Sequence, residues 1–357
     1  MITVRWNASP LLPRPAPDAR RHLPVPVDNA IGLVLGSAIA PSDLASAARM
    51  AEQGGFDEIW LAEDFFFTGG ISGASLVLSA TEHTTVGLGV VSAMVRHPAL
   101  LAMEISTISA AYPGRLIAGL GLGVPGWIRQ MGLHPRSPLA AMRESVTSVR
   151  RLLSGETLDE QGDVFDFHDV SLTYPEEGVP TPIHMGVTGP KMLRLSGEIA
   201  DGTVLSVAAG HDYVRWAKER IDEGQRAGER SGPHRITLFA IYSVADDRDE
   251  ARGAVRDALA FYKSLGTNAL TDVPGISEQL RGLIDSGGYQ AVRDGMPDQW
   301  IEDLTIAGSP EEVATKIEGF HEIGADCVAL FPMPSDHVDR IVRQTSEQVI
   351  PLLKTRR

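Results

Sequence analysis

The chain has 357 residues, 43% of them apolar, and a formal net charge of −14. That length suits one α/β barrel with insertions and a sizeable core, while the acidic balance argues against non-specific binding to nucleic acid or anionic membranes. A lone cysteine, Cys327, rules out an internal disulfide framework and fits a reducing cytoplasm, and no run of about twenty apolar residues offers a membrane span.

Residues 1–28 are rich in Pro and Arg ("SPLLPRPAPDARRHLPVPVD") and lack the apolar stretch of a secretory signal. They read as an irregular extension, either loosely packed or lying over a partner subunit, ahead of a single domain over 29–357. "IGLVLG" (31–36) is the first strand-like run, followed by a helix from near Ser42 that Gly54-Gly55 stops. "FDEIWLAE" (56–63) and "TTVGLGVV" (84–91) supply strands two and three. Pro98 then opens a helix with Leu101, Ile105 and Ile108 on one face, and Tyr112-Pro113-Gly114 ends it. "RLIAGLG" (115–121) is strand four. The next helix carries Leu139, Met142, Val146, Val149 and Leu153 on one stripe and stops at Ser154-Gly155.

An insertion near 156–180 reads as a hairpin ("GDVFDFHDVSLTYP"). A fifth strand near 182–187 and a helix from Pro190 follow, then strand six, "GTVLSV" (202–207), and strand seven, "RITLFAIYSV" (235–244). Residues 245–305 form a second, mostly helical insertion. "SPEE" (309–312) is a capping box, "DCVALFP" (326–332) the eighth strand, and a last helix begins near Ser335. Eight strands alternating with helices predict an α/β fold, a closed (β/α)8 TIM barrel with insertions, in preference to an open sheet.

Gly121-x-Gly123-x-x-Gly126 has the spacing of a dinucleotide fingerprint. Such a fingerprint follows the first strand, opens a helix at once and meets an acidic residue about 20 positions later. Here the glycines follow the fourth strand, "GWIRQMGLHPRSP" predicts an irregular loop, and Glu144 sits inside the next helix. The barrel reading is preferred, with glycines at a strand's C-terminal end letting a flat ligand approach the backbone.

"GFDEIWLAEDFF", "TTVGLGVVSAMVRHPALLAMEISTI", "YPGRLIAGLGLGVP" and "HMGVTGPKMLRLSGEIADGTVL" together resemble the bacterial-luciferase-like superfamily of flavin and deazaflavin enzymes. Within it the chain is most similar to the branch that uses coenzyme F420, a 5-deazaflavin. The resemblance implies a barrel, commonly dimeric, with the ring system at the C-terminal mouth. It implies a non-prolyl cis peptide at Gly89–Val90 backing the ring, with Gly121, Gly123 and Gly186 beside it. It also places the coenzyme phosphate at "VTGPK", on Thr188, Gly189, Pro190 and Lys191. Helix physics agrees independently, because free N–H groups and the helix dipole meet an anion at a helix start.

Glu63 and Asp64 end the second strand, where a barrel gathers its reactive groups. The family commonly has an acidic residue followed by His, one touching the ring's polar edge and the other facing substrate. Asp64 stands in the His position, so the proton relay falls to Glu63 or Asp64, with His97 in reserve. His97 has the alternative of capping the Pro98 helix. Phe65, Phe66, Phe67, Trp127 and Met131 would line an apolar substrate pocket. Sugar-phosphate dehydrogenases of this branch carry Glu after the fourth-strand Gly-x-Gly; Val124 here points away from sugars. The ten histidines show no metal-binding spacing, and Cys327 reads as core.

These features lead to a coenzyme F420-dependent oxidoreductase. It would transfer hydride between the deazaflavin C5 and a small organic molecule, reducing C=C or C=N or oxidising an alcohol, as a cytoplasmic homodimer with no metal. The rivals are a monooxygenase of the same barrel using reduced FMN and oxygen, and a non-catalytic barrel subunit.

Overall fold

The computed structural model describes residues 27–356 apart from 38, 134–136 and 229–231, so the Pro-rich extension lies almost wholly outside the described residues. Eight parallel strands close a barrel: β1 (Ala30–Leu35), β2 (Glu58–Leu61), β3 (Thr85–Leu88), β4 (Leu116–Gly121), β5 (Ile183–Gly186), β6 (Gly202–Leu205), β7 (Arg235–Val244) and β8 (Cys327–Pro332). Each pairs with the next, and β8 returns to β1 with Ala30 opposite Cys327 and Leu33 opposite Leu330. All eight expected strands are present, with ends displaced by a few residues at most. Two short strands were not expected: Val91–Ser92 beside β4, and Ile306–Gly308 beside β7.

Why these short runs close a barrel follows from their alternation. Leu33, Leu35, Ile59, Leu61, Val86 and Leu88 join the core shared with the outer helices. The intervening inward positions are mostly small. Trp60 is wholly buried inside the barrel and stands opposite Gly87, where a Cβ would lie 2.3 Å from its ring. One large ring set against glycine fills the interior without voids. Beneath it Trp60 Nε1 donates to Glu58 Oε2 at 2.8 Å, and the Glu58 carboxylate pairs with Arg235 at the barrel floor.

The barrel carries added elements between β4 and β5 and between β7 and β8. Strands Leu158–Gln161 and Asp166–Val170 form an antiparallel hairpin, and the Glu144 carboxylate accepts N–H bonds from Asp163, Val164 and Phe165 at its turn. The second insertion holds helices Arg248–Ser264, Ala269–Asp272, Ser277–Gly295 and Asp298–Leu304. Val255, Leu259, Leu280 and Trp300 from these helices join Phe239 and Ile241 of β7 in one buried cluster. The insertion therefore packs over the β6–β8 side of the barrel. Its attachment includes Lys263, a buried ammonium that donates to Ala208 O at 3.1 Å and whose pKa desolvation lowers to about 8.

Two expectations need correction. Leu139 is exposed in the first turn of helix Pro138–Leu153, while Met142, Val146, Val149 and Leu153 are buried as the stripe requires. The segment after Gly123 is not irregular throughout, because Pro125–Gln130 is a short helix. Proline at its first position presets φ and gives up no hydrogen bond, which lets six residues suffice. The Ser309–Glu312 capping box forms as read. Among the described residues no helix is long and apolar enough to cross a membrane.

Candidate active site

The C-terminal ends of β2 to β5 hold most of the residues singled out from sequence. The Gly89–Val90 peptide is cis, as the resemblance implied, and a second non-prolyl cis bond joins Phe65 to Phe66. Both Gly89 and Val90 are half-buried at the mouth. The glycines around them have a different task from the one expected. A Cβ at Gly121 would stand 2.4 Å from Val90 Cγ2, and one at Gly186 would stand 2.7 Å from Val90 Cγ1. Gly121 and Gly186 thus make room for the Val90 side chain and so seat the Gly89–Val90 peptide from behind. Gly123, at φ +77°, serves the turn into the short helix.

Glu63 is already engaged by an ion pair. Arg96 grips it with two hydrogen bonds of 2.7 Å, and Gly70 N–H donates to Oε1 at 3.0 Å. The carboxylate is almost fully buried and the guanidinium largely so. The hydrogen bonding of the guanidinium to Glu63, the largest influence, raises the Arg96 pKa and outweighs burial. Glu63 is an anchor that ties the end of β2 to the segment after β3.

His97 is likewise committed. Its Nδ1 accepts the Ala99 N–H at 3.2 Å, capping helix Pro98–Ala111, which assigns the ring proton to Nε2; that nitrogen meets Asp166 O at 3.2 Å. Phe165 and Phe167 of the hairpin pack edge-on against the ring. The capping alternative is the one the geometry shows, with both ring nitrogens engaged.

Asp64 keeps its candidacy. One carboxylate oxygen accepts Ser37 Oγ–H at 2.6 Å, and the side chain is half-buried. Next to it the aromatic residues group as expected in part: Phe65 lies 5.9 Å from Phe66 and 6.3 Å from Trp127, ring centre to ring centre. Phe66, Phe67, Val124 and Met131 are exposed around this group. A neighbouring cavity of about 280 Å³ lies between Met94, Leu122, Ile128 and Leu133. A larger one, of about 400 Å³, opens at the opposite, N-terminal face, away from the loops that carry barrel chemistry.

Thr188 and Gly189 follow β5 and lead into helix Pro190–Ile199, whose N-terminus no side chain caps. A Cβ at Gly189 would meet nothing within 4 Å, and Lys191 is exposed. Tyr213 OH donates to Thr188 O at 2.9 Å and steadies the turn. The site therefore offers open backbone donors at the positive end of a helix. Cys327 is buried in β8, and burial pushes its thiol pKa well up, so it is core. Among the described residues no group of three His, Cys, Asp or Glu side chains is placed to hold a metal.

Sequence reasoning missed Arg96, Ser37 and the second cis bond. Arg96 lay within a quoted motif, immediately before His97, but its partner is 33 positions away.

The family model described as luciferase-like monooxygenase matches residues 22–327. A 5,10-methylenetetrahydromethanopterin reductase of Archaeoglobus fulgidus is 29% identical over 322 residues, covering 87% of this chain and 96% of the relative. An F420-dependent glucose-6-phosphate dehydrogenase of Beutenbergia cavernae is 26% identical, covering 89% and 95%. The solved coenzyme F420-dependent tetrahydromethanopterin reductase of Methanopyrus kandleri superposes with a TM-score of 0.81 at 24% identity, covering 92% of this chain and all of that one.

Proposed function

The chain belongs to the luciferase-like monooxygenase family, and on that premise we propose that it is a coenzyme F420-dependent oxidoreductase acting on a small, largely apolar organic substrate. The observation that carries this reading is the placing, on one rim, of a glycine-seated bed at Gly89–Val90 and an uncapped, unobstructed helix start at Gly189. A flat ring with an anionic tail fits that pair of features. Its likeness to an F420-dependent glucose-6-phosphate dehydrogenase supports the choice of deazaflavin over FMN.

When bound, the coenzyme supplies or accepts hydride at C5. The protein's share is positioning and exclusion of water. The backbone N–H groups at the start of helix Pro190–Ile199 would hold the phosphate, with Lys191 adding charge. Val90, propped by Gly121 and Gly186, would back the ring. The Glu63–Arg96 pair fixes the two segments that carry Asp64 and Val90 relative to one another. Asp64, with an oxygen beyond its Ser37 bond, would take or give the substrate proton. Phe65 and Trp127, with Phe66, Phe67 and Met131 around them, would cover the substrate's apolar body. Val124, where the sugar-phosphate enzymes carry an acid, disfavours sugar oxidation.

We also infer a homodimer. Helices Gly70–Ala80 and Pro98–Ala111 are apolar on nearly all sides and leave Leu76, Leu100 and Met103 exposed. Such helices are normally covered.

The functional reading is tested under anaerobic conditions by following the coenzyme's visible absorbance with a panel of ketones, secondary alcohols and imines, alongside oxygen uptake with reduced FMN. Coenzyme F420 turnover with one of these classes is expected. Oxygen-dependent turnover with FMN alone would overturn it.

A further inference from the structure

Strands β1 and β2 run side by side with Leu35 opposite Leu61. Two residues beyond Leu35 stands Ser37, and three beyond Leu61 stands Asp64, so the register brings the pair together. Ser37 Oγ donates to Asp64 Oδ2 at 2.6 Å, and Oδ1 has no hydrogen-bond partner among the described residues. A third group comes from the second insertion. Tyr262, in the last turn of helix Arg248–Ser264, packs against the same buried cluster as Phe331, Met333 and Val90. Phe331 lies in β8 near its C-terminal, mouth end, and its ring occupies the space beside Gly36, 2.3 Å from where a Cβ would be. Since β8 is the neighbour of β1, Phe331, Ser37 and Asp64 share one arc of the rim, and Tyr262 packs against the cluster that Phe331 joins. The Tyr262 phenol is pushed up to about 12, by burial first and by the nearby Asp64 charge second, so it stays protonated at neutral pH.

We propose that Ser37 is a positioning residue for Asp64, holding its carboxylate so that the one unengaged oxygen meets a substrate hydroxyl or N–H. Tyr262 is a nearby reporter of the Asp64 charge. The inference rests on the functional reading above and deepens it. A carboxylate on a loop end otherwise samples several rotamers; a short charge-assisted bond from Ser37 removes most of that freedom. A well-placed group matters because small displacements cost large factors in rate. The substrate class that such a held carboxylate suits is one bearing a hydrogen-bond donor beside the apolar body that the neighbouring aromatic residues would cover.

The test uses the full-length protein with 13C-labelled tyrosine and no coenzyme, the Tyr262 resonance being assigned from its loss in Tyr262→Phe. Asp64→Asn should move the Tyr262 titration midpoint down by roughly half a pH unit or more. Ser37→Ala should perturb the same resonance, and Ser37→Thr, which keeps the hydroxyl, should leave it near wild type. A Tyr262 signal indifferent to both Asp64→Asn and Ser37→Ala overturns the proposal. In turnover, Ser37→Ala should lower kcat about tenfold with coenzyme affinity within twofold, and Ser37→Thr should restore most of it. Equal losses in Ser37→Ala and Ser37→Thr would also overturn it. Failure to bind coenzyme F420 would instead remove the functional reading, while the spectroscopic result still decides the relation of the three side chains.

Discussion

Replacing Arg96 with Met leaves Glu63 in place but strips its carboxylate of both 2.7 Å bonds. What remains is the Gly70 N–H at 3.0 Å and a longer contact from Ser92 N–H at 3.4 Å. A nearly buried carboxylate with one good donor is an uncompensated charge, and breaking such pairs costs about 3–5 kcal/mol. Because the guanidinium is partly solvated, the lower end applies, about 3 kcal/mol. At about 2 °C per kcal/mol for a chain of this size, the melting temperature should fall by roughly 6 °C. Differential scanning calorimetry reads this directly. Adding Glu63→Gln to Arg96→Met should recover much of the loss, since the orphaned charge is gone. A single variant that melts within a degree of wild type would refute the anchoring role of Glu63. So would a double variant as unstable as the sum of its parts.

Other outcomes follow from the same geometry. Asp64→Asn should lower kcat at least about a hundredfold while leaving the coenzyme dissociation constant nearly unchanged, a split that steady-state kinetics and fluorescence titration resolve. Gly189→Asp meets no steric obstacle and places a carboxylate at a helix N-cap, so thermal stability should hold or rise slightly while coenzyme affinity drops more than tenfold. Leu100→Glu with Met103→Glu should shift the protein to monomer in sedimentation velocity. His184 is buried in β5, and burial, followed by His234 and Arg235, lowers its pKa to about 3. Its folded pKa lies below the unfolded value, so the unfolded chain takes up the proton first, and stability is lost as pH falls from about 6.5 towards 3. That amounts to about 1.4 kcal/mol per pH unit. Chemical denaturation at pH 6.5 and 5 should show this slope weakened in His184→Asn.

Much of the architecture was legible because it rests on short-range signals. Each barrel strand is a short apolar run flanked by glycine, proline or a cap, so all eight could be located. The helix start at Gly189-Pro190 is equally local. The site was legible only where a motif carried it. Glu63 and His97 are relay candidates by sequence, and the structure shows both side chains already engaged by partners. Their partners, Arg96 for one and Ala99 N–H with Asp166 O for the other, depend on approach in space or on cap geometry. Gly121 and Gly186 looked like ligand contacts because nothing in the local pattern reveals that Val90 from another strand fills their space. Ser37 and Tyr262 carry no sequence signal at all; barrel closure brings one, and the packing of the second insertion the other.

The central claim is that the C-terminal mouth holds coenzyme F420 with its phosphate at Thr188–Gly189. The most direct test titrates the purified wild-type protein and Gly189→Asp with oxidised coenzyme F420 and with FMN, following fluorescence quenching. Wild type should bind coenzyme F420 at micromolar concentration or tighter and FMN at least about a hundredfold more weakly, with Gly189→Asp losing the former. Preference for FMN, or coenzyme F420 binding indifferent to Gly189→Asp, would contradict the account.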